Sequence, residues 1–100
     1  MTLYIDATDF KKVTFAISSL GKIKKQTYKI DPHESHRTLE TLEKFLKANS
    51  YKLTAISLIV VNKGPGSFTG TRVGITIANA LGMALGAAVR FVGKEKFVIK

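Results

Sequence analysis

Over its first thirty positions the chain alternates apolar with polar residues. After Pro32 its apolar residues recur every three or four positions, so the patterning changes from strand to helix. Leu3-Tyr4-Ile5 precedes Asp6-Ala7-Thr8-Asp9, and then Val13, Phe15 and Ile17 alternate with Thr14, Ala16 and Ser18, which predicts two strands joined near Asp9 to Lys12. Leu20-Gly21-Lys22 supplies a turn into a third strand, Ile23 to Ile30, with a lysine-rich face. From Ser35 onward Leu39, Leu42, Phe45 and Leu46 lie opposite Glu40, Glu43, Lys44 and Lys47, an amphipathic helix ending near Asn49. Ala55 to Val61 is a short continuous apolar run, as in central strands covered on both faces. A glycine-rich loop, an uncharged helix from about Thr71 to Leu85 and a last strand from about Ala88 to Val92 complete the pattern.

Strand, strand, strand, helix, strand, helix, strand is therefore the expected order. Hairpins come first, and right-handed crossovers then place the later strands parallel to the first. The expectation is an α/β fold with a mixed five-stranded sheet, its two helices on one face or on opposite faces. This order resembles the ribonuclease H-like half of the actin and hexokinase (ASKHA) superfamily, a likeness of fold that fixes no function.

One hundred residues, 45% of them hydrophobic, suit one compact domain spanning residues 1–100. With no cysteine, a disulfide framework and a cysteine-ligated metal site are excluded, and a cytoplasmic setting is expected. Sixteen Lys and Arg against seven Asp and Glu give +9, which excludes an acidic disordered chain and favours an anionic partner, nucleic acid or an acidic protein surface. The early charges Asp6, Asp9, Lys11 and Lys12 interrupt any secretory signal. Val73 to Val89 is uncharged and carries Gly74, Ala78, Gly82 and Gly86 at steps of four, but Thr76 and Asn79 make a buried helix a better reading than a membrane span. Lys22, Lys24, Lys25 and Lys29 have two readings: protection of an edge strand, or contact with RNA or an acidic partner.

Gly64-Pro65-Gly66-Ser67-Phe68-Thr69-Gly70 leaves the buried strand and opens a helix, where backbone amides could hold an anion. Its register is neither that of a P-loop nor that of a dinucleotide fingerprint, because no Lys follows the glycines in place and Thr69 stands at the third glycine position. The other reading is a tight strand-to-helix turn capped by Ser67 or Thr69. In the helix, Val73, Ile77, Leu81 and Leu85 form one row and Gly74, Ala78, Gly82 and Gly86 the next. Interior glycines cost about 1 kcal/mol each against alanine, so another backbone should lie close to this stripe. With Ile75, Asn79 and Met83 on a further face, an interface with another chain is expected, the alternative being packing against Leu39, Leu42 and Leu46.

The heptapeptide Gly64–Gly70, followed by Arg72, Gly74, Ala78, Ala80, Leu81, Ala84, Leu85 and Gly86, closely resembles the signature of the bacterial TsaB (YeaZ) family. Ile5-Asp6-Ala7-Thr8 is similar to the family's opening Ile-Asp-Thr-Ser, and His36 before a leucine-patterned helix to its His-Ser-Glu segment. The resemblance covers nearly all of the chain and only the family's first domain. It implies a non-catalytic scaffold in making threonylcarbamoyl adenosine beside the tRNA anticodon. In that pathway a TsaD-like subunit transfers the group, a TsaE-like ATPase joins through the complex, and tRNA is met indirectly. It implies, too, that the two helices form a bundle with TsaD or with a second copy, so a homodimer is expected when the chain is alone.

Departures from the family pattern shape further expectations. The family's second domain is not among these residues, so a nucleotide cleft between domains cannot form within one chain, and no cofactor is expected. Where the family's catalytic relative has a His-x-x-x-His metal motif, this chain reads Gly93-Lys94-Glu95-Lys96-Phe97, and His33 and His36 lie elsewhere; no metal site is expected. The different-class alternative is a ribonuclease H-like or resolvase-type metal-dependent nuclease. That chemistry needs clustered carboxylates, but beyond Asp6 and Glu40 or Glu43 the central strand ends in Asn62-Lys63, which makes Asp6 a turn residue on this reading.

Overall fold

The computed structural model describes residues 1–100. Three strands, β1 (Thr2–Asp6), β2 (Lys12–Ser19) and β3 (Lys22–Lys29), run into a 3-10 segment, Pro32–Arg37, and helix α1 (Thr38–Ala48). Strand β4 (Leu58–Asn62), helix α2 (Phe68–Leu85) and strand β5 (Ala88–Val92) follow. The sheet order is β3-β2-β1-β4-β5; β1 pairs antiparallel with β2 and parallel with β4, and β5 extends the parallel side. The expected mixed five-stranded α/β fold is the observed one.

Both helices pack on the same face. Leu3, Ile5, Phe15, Ile17, Ile59 and Val61 from the strands meet Leu42, Phe45 and Leu46 of α1 and Ile77 and Ala78 of α2 in one buried core. On the opposite face Tyr4, Ala16 and Val60 form a smaller cluster, overlaid by the C-terminal segment. Phe97 meets Tyr4 edge-on with 6.1 Å between centroids, and the Tyr4 hydroxyl lies 3.4 Å from both the carbonyl oxygen and the amide nitrogen of Lys100. The apolar run at β4 is thus covered on both sides, but by helices on one and by an irregular tail on the other. The periodic pattern predicts no element for that tail, because a few apolar residues at irregular spacing carry no period.

Several boundaries differ from the expected ones for local reasons. The first helix starts at Thr38 rather than Ser35: Asp31 accepts the His33 amide at 2.8 Å and sets a 3-10 turn, and Glu34 sits at φ −120°, ψ 29°, outside helical geometry. Its end at Asn49 is as expected, with the Asn49 side-chain amide donating to the Phe45 carbonyl at 2.9 Å. Leu39 lies on the flank of α1 and is 43% exposed rather than in the core. Strand β4 starts at Leu58, because Leu53–Ala55 form a 3-10 turn.

Strand β3 is the sheet edge, and its lysines do not share one face. Register puts Lys22 and Lys24 opposite Ser19 and Ile17 on the helix side, and Lys25 and Lys29 opposite Ala16 and Lys12 on the other. Alternation of side chains along a pleated strand enforces this split, since positions 22 and 24 differ in parity from 25 and 29.

Candidate protein-partner interface

The glycine-rich segment is a mechanical joint between the β1–β2 turn and α2. Asp6 Oδ1 accepts from the Thr8 amide at 3.0 Å and the Thr8 hydroxyl at 2.6 Å, which fixes the turn, and Thr8 itself is buried. The Thr8 carbonyl then accepts the Ser67 amide at 2.7 Å. A side chain at Gly66 would collide with Thr8, and one at Gly70 with the Ala7 carbonyl, so these two positions are glycine because another backbone occupies the space. Ser67 caps α2, its hydroxyl accepting the Gly70 amide at 3.3 Å, and Asn62 Oδ1 accepts the Gly64 amide at 2.9 Å. The amides of Gly64, Ser67 and Gly70 are therefore satisfied within the chain, and Pro65 has none to offer. This geometry is that of a tight strand-to-helix turn capped by Ser67. The helix also begins earlier than expected, with Phe68, Thr69 and Gly70 forming its first turn.

Helix α2 has two unlike faces. Gly74, Ala78 and Gly82 are buried against the chain's own sheet. A Cβ at Gly74 would lie 3.2 Å from Ala7 Cβ and 3.6 Å from Ile5 Cγ2, and one at Gly82 would collide with Val89 and lie 3.1 Å from the Ala87 carbonyl. This corrects the expectation that the small-residue stripe faces another chain. The close neighbour that interior glycines demand is present within the chain: side chains of Ile5, Ala7 and Val61 at Gly74, and the Val89 side chain with the Ala87 carbonyl at Gly82. Gly86 ends the helix in the left-handed region at φ 67° and acts as its C-terminal cap, which accounts for glycine there. Ile75 is half-buried at the border of the core, while Asn79 and Met83 are exposed.

The outer face carries Phe68 and Met83, 74% and 89% exposed, with Thr76 and Asn79 between them. Arg72, the only charged residue of α2, lies over the Phe68 ring at 5.2 Å from its centroid. His36, Leu39, Phe68, Arg72, Val73 and Thr76 line a shallow groove between the start of α1 and α2. The sequence pattern assigns Leu39 to the core-facing row of α1 and marks Thr76 only for its polarity, so it expects neither at an interface. The signal for Leu39 is its place at the edge of the apolar arc of α1, where a residue can serve the core or a neighbour.

Neither carboxylate chemistry nor a membrane span finds its parts. Asp6 is held in its turn, Asn62 holds a backbone amide, and no three His, Asp or Glu side chains gather as metal ligands. No helix is long and apolar enough to cross a membrane.

The sheet order and the helix placement define the class as ribonuclease H-like, of the ASKHA type. Thermus thermophilus RuvC in complex with a Holliday junction shares the fold at TM-score 0.61 over 94% of this chain and 64% of that one, but at 10% identity, which carries the fold alone. YeaZ from Pseudomonas aeruginosa superposes with TM-score 0.81 at 26% identity, covering 92% of this chain and 43% of that one. A family model described as TsaD, tRNA N6-adenosine threonylcarbamoyltransferase, matches residues 28–94. The tRNA threonylcarbamoyladenosine biosynthesis protein TsaB of Escherichia coli K12 is 39% identical over 67 residues, 66% of this chain and 28% of that protein. TsaB of Buchnera aphidicola is 31% identical over 81 residues, 79% of this chain and 37% of its own length. The chain belongs to the TsaB/YeaZ family, within the wider TsaD group. It spans less than half the length of each of these family relatives.

Proposed function

We propose that this chain is a non-catalytic scaffold in tRNA threonylcarbamoyladenosine formation, acting in the cytoplasm as a partner of a TsaD-like transferase. The observation that carries the reading is the match to YeaZ across 92% of the chain, combined with a long helix whose outer face is nearly free of charge on a protein of net charge +9. A solvated surface helix ordinarily turns a charged face outward. This one offers Phe68, Met83 and, from α1, Leu39 around a stacked Arg72, the aromatic, methionine and arginine composition typical of interface cores. The docking surface is thus the outer face of α2 with the flank of α1, in place of the buried glycine stripe. The same face serves a second copy when the transferase is lacking, and the TsaE-like ATPase joins through the assembled complex, where tRNA is modified.

Light scattering after size-exclusion chromatography tests this, run on the chain alone and mixed with the TsaD-like protein of the same genome. The expected result is a stoichiometric complex that replaces a homodimer. Met83→Asp should weaken the complex by about a hundredfold, or about 2.7 kcal/mol, while the circular dichroism spectrum stays that of the parent. A chain that stays monomeric and ignores the transferase would sink the proposal.

A further inference from the structure

Between Asp9 and Asp31 the chain carries six lysines, Lys11, Lys12, Lys22, Lys24, Lys25 and Lys29, and no carboxylate. About a fifth of the sequence therefore holds two-thirds of the net charge of +9. The structure folds this stretch into the β2–β3 hairpin at one edge of the sheet, with all six lysines exposed. None has a carboxylate within ion-pair distance, for the one salt bridge of the molecule joins Arg37 to Glu34 on the 3-10 segment. Protection of the edge against strand pairing accounts for lysines on β3. It does not account for Lys12, which lies on the inner strand β2 directly opposite Lys29. Like charges opposite one another in a sheet are destabilising, so a hairpin that concentrates them carries a cost that folding alone does not repay.

Resting on the scaffold reading above, we infer that the β2–β3 hairpin is a contact surface for the phosphate backbone of structured RNA. Two features favour RNA over an acidic protein. Lysine is depleted from protein interfaces, which need a packed apolar centre, whereas phosphate contacts need only mobile cationic tips. The register also throws Lys22 and Lys24 to one side of the edge and Lys12, Lys25 and Lys29 to the other, so the charges straddle a ridge and present no flat patch. A ridge suits a groove flanked by two phosphate strands. Stacking on unpaired bases is not its mode, because Tyr28, the one aromatic of β3, is half-buried with its ring 6.3 Å from that of Phe15. The contact should therefore read charge and shape and be indifferent to sequence.

The test is the affinity of the chain for an unmodified tRNA transcript, measured by fluorescence anisotropy between about 50 and 200 mM salt. Replacing Lys12, Lys25 and Lys29 together by Gln should weaken binding at least tenfold at the low-salt end and reduce the slope of log affinity against log salt by about 3. A charge-matched control, Lys44, Lys47 and Lys52 to Gln, should change the slope by less than 1. Equal losses in the two variants, or no tRNA binding by the parent, overturn the inference. So does preferential binding of polyglutamate, lost in the hairpin variant, which would assign the ridge to an acidic protein. Co-elution of the hairpin variant with the TsaD-like protein is read in parallel, so failure of RNA contact is distinguished from failure of the scaffold reading.

Discussion

The two faces of α2 differ in what fills them although both are apolar enough to be buried. The inner face is made of Thr71, Gly74, Ile77, Ala78 and Gly82, and at Gly74 and Gly82 even a single added carbon would crowd the chain's own side chains. The outer face has larger groups, Phe68 and Met83, and leaves them in water. Size of side chain is thus a poor guide to which face turns inward. What decides at Gly74 and Gly82 is the space that Ile5, Ala7 and Val89 leave, which has little or no room for a side chain, while Ile77 fills the core beside them. A larger face then remains outside, free for a neighbour.

Gly82→Leu is the hardest blow to this picture and the largest effect expected. A leucine there must displace Val89 and the Ala87 carbonyl, so destabilisation at or above the usual range of about 1–3 kcal/mol for overpacking is predicted, read as a fall in the urea midpoint of the chain alone. Were the variant to fold with unchanged stability but lose its partner, the inner face would be an interface after all.

Ser67→Ala tests the joint that holds the inner face in register. Loss of a helix cap costs about 1 kcal/mol, and the Ser67 backbone bond to Thr8 survives the change. The expected outcome is a lower melting temperature with an unaltered fold. Thr71→Val works in the opposite direction. The Thr71 hydroxyl is buried without a hydrogen-bond partner, so replacing it by a methyl of nearly the same shape removes a desolvation penalty, and a gain of up to about 1 kcal/mol is predicted. Unchanged or lower stability in chemical denaturation would mean that the hydroxyl has a partner in solution.

Most of the architecture was legible because its signals are periodic. Alternation at Val13, Phe15 and Ile17 and the three-four spacing from Leu42 to Leu46 each place a residue on a face with no knowledge of the rest of the molecule. The glycines are different. Steps of four at Gly74, Ala78 and Gly82 announce a close neighbour, but a helix stripe reads the same whether that neighbour is a strand of the same chain or a helix of another. The lysines show the same limit in miniature: their number was plain, and their division between two sides of β3 needed only the parity of their positions. Nothing in the pattern foretold that Phe97 and Ile99 would lie over Tyr4 and Val60, because those contacts join residues far apart in sequence.

Met83→Ala should have the smallest effect, and it bears most directly on the contrast. Met83 follows Gly82 in sequence but lies about 100° round the helix from it, with only 11% of its surface covered against the near-complete burial of its neighbour. Truncating an exposed side chain exposes no core and opens no cavity, and alanine favours the helix slightly, so the change in stability of the monomer should stay within about 0.5 kcal/mol. Two adjacent residues would then differ severalfold in consequence. A larger loss that grows with protein concentration would report the homodimer rather than the monomer, Met83 then being covered between two copies at the outer face proposed to join them.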